Sequence, residues 1–295
     1  MADTISENAP AKVNLALHVT GQRPDGYHLL DTLVVFTASG DRIRITPSRR
    51  DGFAVSGPFA AAVPADGGNL VLKARELMRG LAGGRALPVA IELEKNLPPA
   101  AGIGGGSSDA AATLRALNRL WRVSLPTASL AQAALPLGAD LPMCVSAGAL
   151  VARGIGEALT PVAGLPALDM VLVNPGVAVA TPAAFRGLES RRNPPLGELP
   201  RRPDFAALVG WLATARNDLQ TPALAVAPEI AAVLAALRDS GAAFARMSGS
   251  GATCFGLYPS RHDAARAATA IAARRPSWYV QPTTTIDSEP GRHGP

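Results

Sequence analysis

Lysine is scarce in this 295-residue chain: of 28 basic residues only Lys12, Lys73 and Lys95 are lysines. The sequence is rich in Ala, Gly and Pro, as a GC-biased coding sequence is, and such a bias replaces lysine wherever arginine serves equally. The remaining lysines are therefore candidates for sites that need a compact ammonium rather than a planar guanidinium. Cysteine is nearly absent. Cys144 and Cys254 lie far apart and form neither a metal-binding spacing nor a disulfide framework, so a reduced, cytoplasmic setting is expected. No apolar run approaches the ~20 residues a membrane span needs. The opening MADTISENAP lacks the basic and apolar regions of a signal peptide. Hydrophobic residues make up 48% and charged residues 17%, which excludes a disordered chain.

Net charge is +5 and the pI about 9.8. That fits a mildly basic enzyme with an anionic substrate. It does not make a nucleic-acid binder. The densest arginine group (Arg191, Arg192, Arg201, Arg202) lies in a proline-rich stretch without interleaved aromatics. No membrane contact and no obligate protein partner are expected.

The length suits two domains, with a candidate boundary at Gly164-Leu165-Pro166, giving 1–164 and 165–295. Alternating patterns predict strands over 11–19, 33–36, 42–46 and 89–95. Helical spacing predicts helices over 69–81 and 107–121, with Ser107 as N-cap and Leu114, Leu117 and Trp121 as the buried stripe. A shorter helix is expected over 127–136. Beyond the boundary, a strand at 170–173 precedes an exposed Arg/Pro-rich loop at 190–203. Helices follow at 204–215, 218–226 and 229–239, then a strand-loop-strand over 243–258, a helix over 262–274 and a last strand over 278–285. Strands and helices mixed in two halves indicate an α+β fold.

Chemistry concentrates first in Gly102-Ile103-Gly104-Gly105-Gly106-Ser107-Ser108-Asp109-Ala110. Four glycines in five residues let the backbone approach a ligand and turn its N–H groups inward. The helix that follows aims its positive end at the same place, and Ser107 and Ser108 offer hydroxyls to a phosphate. No Gly-Lys-Ser/Thr closes the loop, so it is not a Walker A motif. The final glycine of a dinucleotide fingerprint is missing, and no acidic residue lies near position 125. The second feature is Pro10-Ala11-Lys12-Val13-Asn14, where Lys12 and Asn14 share one face of a strand. Alone it is compatible with a solvated strand face. The third, Met247-Ser248-Gly249-Ser250-Gly251-Ala252, is compatible with phosphate packing or with a tight hairpin.

Taken together and in this order, the three features resemble the motifs of the GHMP kinase superfamily. These are a PAKxN start, a P-x-x-x-G-x-G-x-S-S-x-A phosphate loop, here Pro98 to Ala110 with one extra glycine, and a C-terminal G-S-G-A turn. The extra glycine, the segment Gly21 to His28 and the segment Leu137 to Pro142 are similar to one branch, whose substrate carries a cytidine diphosphate and feeds non-mevalonate isoprenoid synthesis. The resemblance runs from about residue 9 to residue 285. It implies a two-domain GHMP kinase fold: an N-terminal half like the second domain of ribosomal protein S5, a ferredoxin-like C-terminal half, and an active site in the cleft between. It implies ATP as co-substrate with Mg²⁺, and phosphoryl transfer to an alcohol.

The resemblance also implies site roles. Asp140 matches the catalytic aspartate and Lys12 its cationic partner. Asn69, Lys95, Pro99, Gly102, Gly104, Gly105, Gly106, Ser107 and Ser108 match the nucleotide site, Asn69 and Lys95 lying near the adenosine. Tyr27 and His28 match a cytidine-binding pair, Phe185 the ring on the other side of the base, and Asn14 and Thr181 residues near the substrate's polar groups. Asp109 departs from the branch, where Asn or Ala is common, and an ionised acid there would repel phosphate. Other readings are a kinase of homoserine or mevalonate, which carry no base to stack, and a nucleotide-binding regulatory module, which needs neither Lys12 nor Asp140.

Overall fold

The computed structural model describes residues 4–286. The tail Ser288–Pro295, expected to fray, lies outside the described residues. Two compact units form, each discontinuous in sequence. The first comprises residues 4–11, 40–99 and 104–147, and the second residues 12–39, 100–103 and 148–286. Strands β1 (Ile5–Gln22) and β2 (His28–Pro47) pair with each other and supply residues to both units.

In the first unit the end of β2 is followed by β3 (Gly52–Ser56), α1 (Leu70–Ala82), β4 (Val89–Glu94), α2 (Gly105–Leu120), α3 (Thr127–Ala134) and α4 (Leu141–Ser146). Strand β4 lies between β2 and β3, antiparallel to β2 with Ile43 opposite Leu93, and parallel to β3. The period-2 pattern explains its placement. Val89, Ile91 and Leu93 are buried while Glu92 and Glu94 face out. Helices α1 and α2 pack together, and the short side chains of Ala110, Ala111 and Ala112 on α2 are all buried. Leu114, Leu117 and Trp121 are buried as the helical spacing predicts.

Two expectations change here. The segments 33–36 and 42–46 belong to one continuous strand. It passes through Gly40 because a Cβ there would stand only 2.7 Å from Pro10 Cα, so glycine lets β1 run close alongside. Ser107 does not cap α2. The N-cap is Gly104 in the left-handed conformation at φ 65°, and no side chain bonds into the first turn from that position.

The second unit contains the start of β2, then β5 (Leu150–Gly154), β6 (Ala158–Pro161), β7 (Asp169–Asn174), α5 (Thr181–Arg186), α6 (Phe205–Thr214), α7 (Gln220–Val226), α8 (Glu229–Asp239), β8 (Phe244–Met247), β9 (Cys254–Tyr258), α9 (Arg261–Arg274) and β10 (Tyr279–Thr284). Leu30–Val34 of β2 pairs antiparallel with β5, and β5 with β6. The other four strands form an antiparallel sheet in the order β10-β7-β9-β8. With α8 and α9 as crossovers this is the split βαβ arrangement of a ferredoxin-like sheet. Val171, Val173, Ile230, Val233, Leu237, Cys254 and Ile271 share its core. No regular element covers 190–203, as expected.

One buried cation ties this unit together. Arg246 donates to Leu15 O at 3.0 Å, Leu212 O at 2.9 Å and Ala215 O at 2.7 Å, and its guanidinium lies over the Phe244 ring. Burial, then the nearby Arg216, pushes its pKa down to about 10, which still leaves it charged at neutral pH. Arg246→Met strands three carbonyl oxygens and is expected to cost about 3 kcal/mol or more in chemical denaturation. A change below about 0.5 kcal/mol, the size of an ordinary surface substitution, contradicts this role.

Candidate active site

In the first unit the site residues gather at the start of α2. The helix begins inside the glycine run, and its first N–H groups have no intrahelical acceptor. Those of Gly105, Gly106 and Ser107 form the positive end of a 16-residue helix, an anion-binding arrangement. The two serines divide. Ser108 is fully buried and gives its hydroxyl to Pro10 O at 2.7 Å, so it supports the loop rather than offering the hydroxyl expected of it. Ser107 is half-buried, and Pro99 and Gly106 are exposed. Asp140 is half-buried at the start of α4, whose first turn carries Pro142, and its carboxylate does not cap that helix.

Two residues expected near the adenosine use their side chains within the protein. Asn69 caps α1, accepting the Val71 N–H at 2.8 Å and donating to Pro64 O at 2.6 Å. Lys95 is buried, its ammonium 2.5 Å from Asp41 and 2.7 Å from Asp109. A buried ammonium is stabilised by carboxylates, and here two are supplied internally. Asp109 likewise does not sit at the helix surface.

In the second unit the other half of the glycine loop, residues 100–103, is held by the Ser-Gly turn. Gly102 O accepts from Ser248 Oγ at 3.1 Å, Ala101 O from Thr253 N at 3.1 Å, and Ile103 O from Lys12 N at 2.9 Å. Ser248 Oγ in turn accepts the Asn14 N–H at 3.1 Å. Motifs one, two and three thus meet through hydrogen bonds of the backbone and the Ser248 hydroxyl, and the turn packs on the loop. Asn14 donates to Thr32 at 2.8 Å, and its buried Oδ1 has no hydrogen-bond partner, an acceptor suited to a ligand hydroxyl. Lys12 is buried on the same strand face, and Thr181 is bonded to Ser250 at 2.9 Å.

The aromatic residues form a separate group in this unit. The rings of His28 and Phe185 stack at 4.5 Å and 23°. His28 Nε2 is buried without a partner, and Tyr27 beside it is 59% exposed, unusual for a tyrosine. Burial, then the charge of Arg191, lowers the His28 pKa, so its ring is neutral at pH 7. Among the described residues no group of three or more His, Cys, Asp or Glu is gathered to hold a metal ion. Sequence reasoning missed Asp41, Thr32 and the loop-bracing part of Ser248, each of which acts on residues distant in the chain.

The chain is similar to known proteins over nearly its whole length. The family model described as "GHMP kinases N terminal domain" matches residues 69–148 and "GHMP kinases C terminal" matches residues 200–276. A 4-diphosphocytidyl-2-C-methyl-D-erythritol kinase of Mesorhizobium japonicum is 55% identical over 283 residues, 96% of each chain. One from Brucella melitensis is 55% identical, covering 97% of this chain and 96% of its own. A crystal structure of 4-(cytidine 5'-diphospho)-2C-methyl-D-erythritol kinase superposes with a TM-score of 0.77 at 35% identity, over 96% of this chain and 100% of that one. The chain belongs to the GHMP kinases.

Proposed function

We propose that this chain transfers the γ-phosphate of ATP to the 2-hydroxyl of 4-diphosphocytidyl-2-C-methyl-D-erythritol, a step of non-mevalonate isoprenoid synthesis. The observation that carries the reading is 55% identity across nearly the whole of both chains with a kinase of that name. In this reading the first-turn N–H groups of α2, with Gly102, Gly104, Gly105, Gly106 and Ser107, cradle the ATP phosphates, and Pro99 borders the nucleotide. Asp140 takes the hydroxyl proton as the new O–P bond forms and the bond to the ADP oxygen breaks. Lys12 offsets the charge on the phosphoryl in flight. Asn14 and Thr181 orient the acceptor's polar groups. Mg²⁺ accompanying ATP would supply neutralisation of phosphate charge and would ask few ligands of the protein. Cys144 and Cys254 are both buried and not joined in a disulfide, which suits a cytoplasmic enzyme.

Tyr27, His28 and Phe185 supply the specificity. An exposed aromatic face stacks on cytosine, and the unpartnered, neutral imidazole reads its edge. Tyr27→Ala is expected to raise KM for the cytidyl substrate about tenfold, the size of one stacking contact. The KM for ATP stays unchanged. Steady-state kinetics with each substrate varied in turn checks this, and an equal rise in both values counts against a base-stacking tyrosine.

A further inference from the structure

A buried charge cluster underlies the first turn of α2, and the roles given above make no use of it. Lys95 Nζ lies 2.5 Å from Asp41 Oδ2 and 2.7 Å from Asp109 Oδ2. All three side chains are at most 4% exposed. A Cβ on Gly105 would stand 3.0 Å from that ammonium and 3.7 Å from Asp41 Oδ2, so the cluster sits directly under the residue that opens the helix. Two ionised carboxylates on one ammonium leave an odd negative charge out of water, which is strongly unfavourable.

The two acids are not equivalent. Asp41 Oδ1 accepts the N–H of Asn96 at 2.6 Å and of Leu97 at 2.8 Å, while Oδ2 accepts the ammonium. Donors therefore face both oxygens. Asp109 Oδ2 accepts from Lys95 alone, and its Oδ1 is buried with no partner. Asp109 also lies in the second turn of α2, where the helix end helps an anion little. We propose that Asp109 is a neutral carboxylic acid at neutral pH, and that Asp41, Lys95 and Asp109 form an electroneutral brace positioning the start of α2 for the phosphates of ATP. Asp109 and Lys95 are positioning residues in this account.

Burial pushes the Asp109 carboxyl well above the ordinary carboxylate range, and the neighbouring Asp41 carboxyl adds to this against the pull of Lys95. Burial lowers the Lys95 ammonium, and the two acids beside it together more than offset that, so its pKa is raised. Charged groups on the elements packed nearby are engaged elsewhere. Arg75, Glu76 and Arg79 of α1 pair with one another or with Asp51, Lys73 is exposed, and Glu7 of β1 pairs with Arg115 and Arg119. Helices α3 and α4 carry no charged residue along their lengths, with Asp140 at the N-cap of α4, while Arg44 of β2 pairs with Glu92 of β4, and Arg42 and Glu94 are exposed. A neutral Asp109 also removes the repulsion that an acid near phosphates otherwise creates.

The protonation state does not depend on the kinase reading, and only its functional consequence does. Infrared spectra of the whole chain at pH 7 are expected to contain a protonated-carboxyl C=O band that disappears in Asp109→Asn. Because amide and neutral acid are isosteric, Asp109→Asn binds ATP in calorimetry within about threefold of the parent, the scale of one altered neutral hydrogen bond. Asp41→Asn, which removes the carboxylate paired with Lys95, weakens ATP about tenfold or more, as loss of a buried salt-bridge partner does. Its KM for the cytidyl substrate is unmoved. If Asp41→Asn does not fold, the spectrum and Asp109→Asn decide alone. The proposal is overturned if no such band is lost, or if Asp109→Asn itself weakens ATP tenfold or more. A wrong kinase reading shows instead as a parent protein that turns over no cytidyl substrate while keeping the band.

Discussion

Asp140→Asn lowers kcat about 10²–10⁴-fold, the usual cost of removing a positioned general base. ATP affinity is expected to stay close to that of the parent, because the proposed phosphate cradle, the first turn of α2 and the glycine loop, is untouched. The amide keeps the shape of the carboxylate but cannot take the hydroxyl proton. Asp140 does not cap α4, so the change removes no helix cap and stability is expected to hold. Pre-steady-state phosphoryl transfer combined with ATP calorimetry separates the two effects. Full turnover in the variant assigns the proton to another group.

Gly102→Ala is expected to damage both the fold and ATP use. Gly102 has φ +74°, which a residue with a side chain rarely adopts. A Cβ there would lie 2.6 Å from Ser248 O, 2.7 Å from Gly251 O and 2.8 Å from Gly251 N. All three are backbone atoms and cannot swing aside as a side chain does. Strain and overpacking together cost about 2–5 kcal/mol. The Ser248 to Gly102 bond lengthens, and KM for ATP rises. Gly106→Ala is the control, since the nearest atom to its added Cβ is Leu70 Cδ1 at 3.8 Å. It is expected to stay within about 0.5–1 kcal/mol of the parent. Denaturation midpoints of the two variants give the comparison, and equal midpoints contradict the close-approach account of Gly102.

What the sequence discloses follows from how local each signal is. Helices α1, α2 and α9 and strands β4 and β7 carry their own periodicity or apolar runs, and their cores fall where the patterns place them. Strands β3, β5 and β6 are four or five residues long, too short for alternation to stand out from turn sequence. The phosphate loop is legible because its glycines are consecutive. Its support is not. Asp41 reads as an acid beside a glycine in a strand, and the lysine it binds lies 54 residues away. For the same reason the internal partners of Lys95 and Ser108, namely Asp41, Asp109 and Pro10, are not legible in the sequence. Pattern identifies which residues carry the chemistry, while three-dimensional contact separates those offered to a ligand from those that hold the loop.

The most direct test of the account is ADP release with ATP, Mg²⁺ and 4-diphosphocytidyl-2-C-methyl-D-erythritol, run beside mevalonate and homoserine. Turnover with the cytidyl substrate alone is the predicted result. Turnover only with mevalonate or homoserine contradicts the roles given to Tyr27, His28 and Phe185, and no turnover with any of the three contradicts the kinase assignment itself.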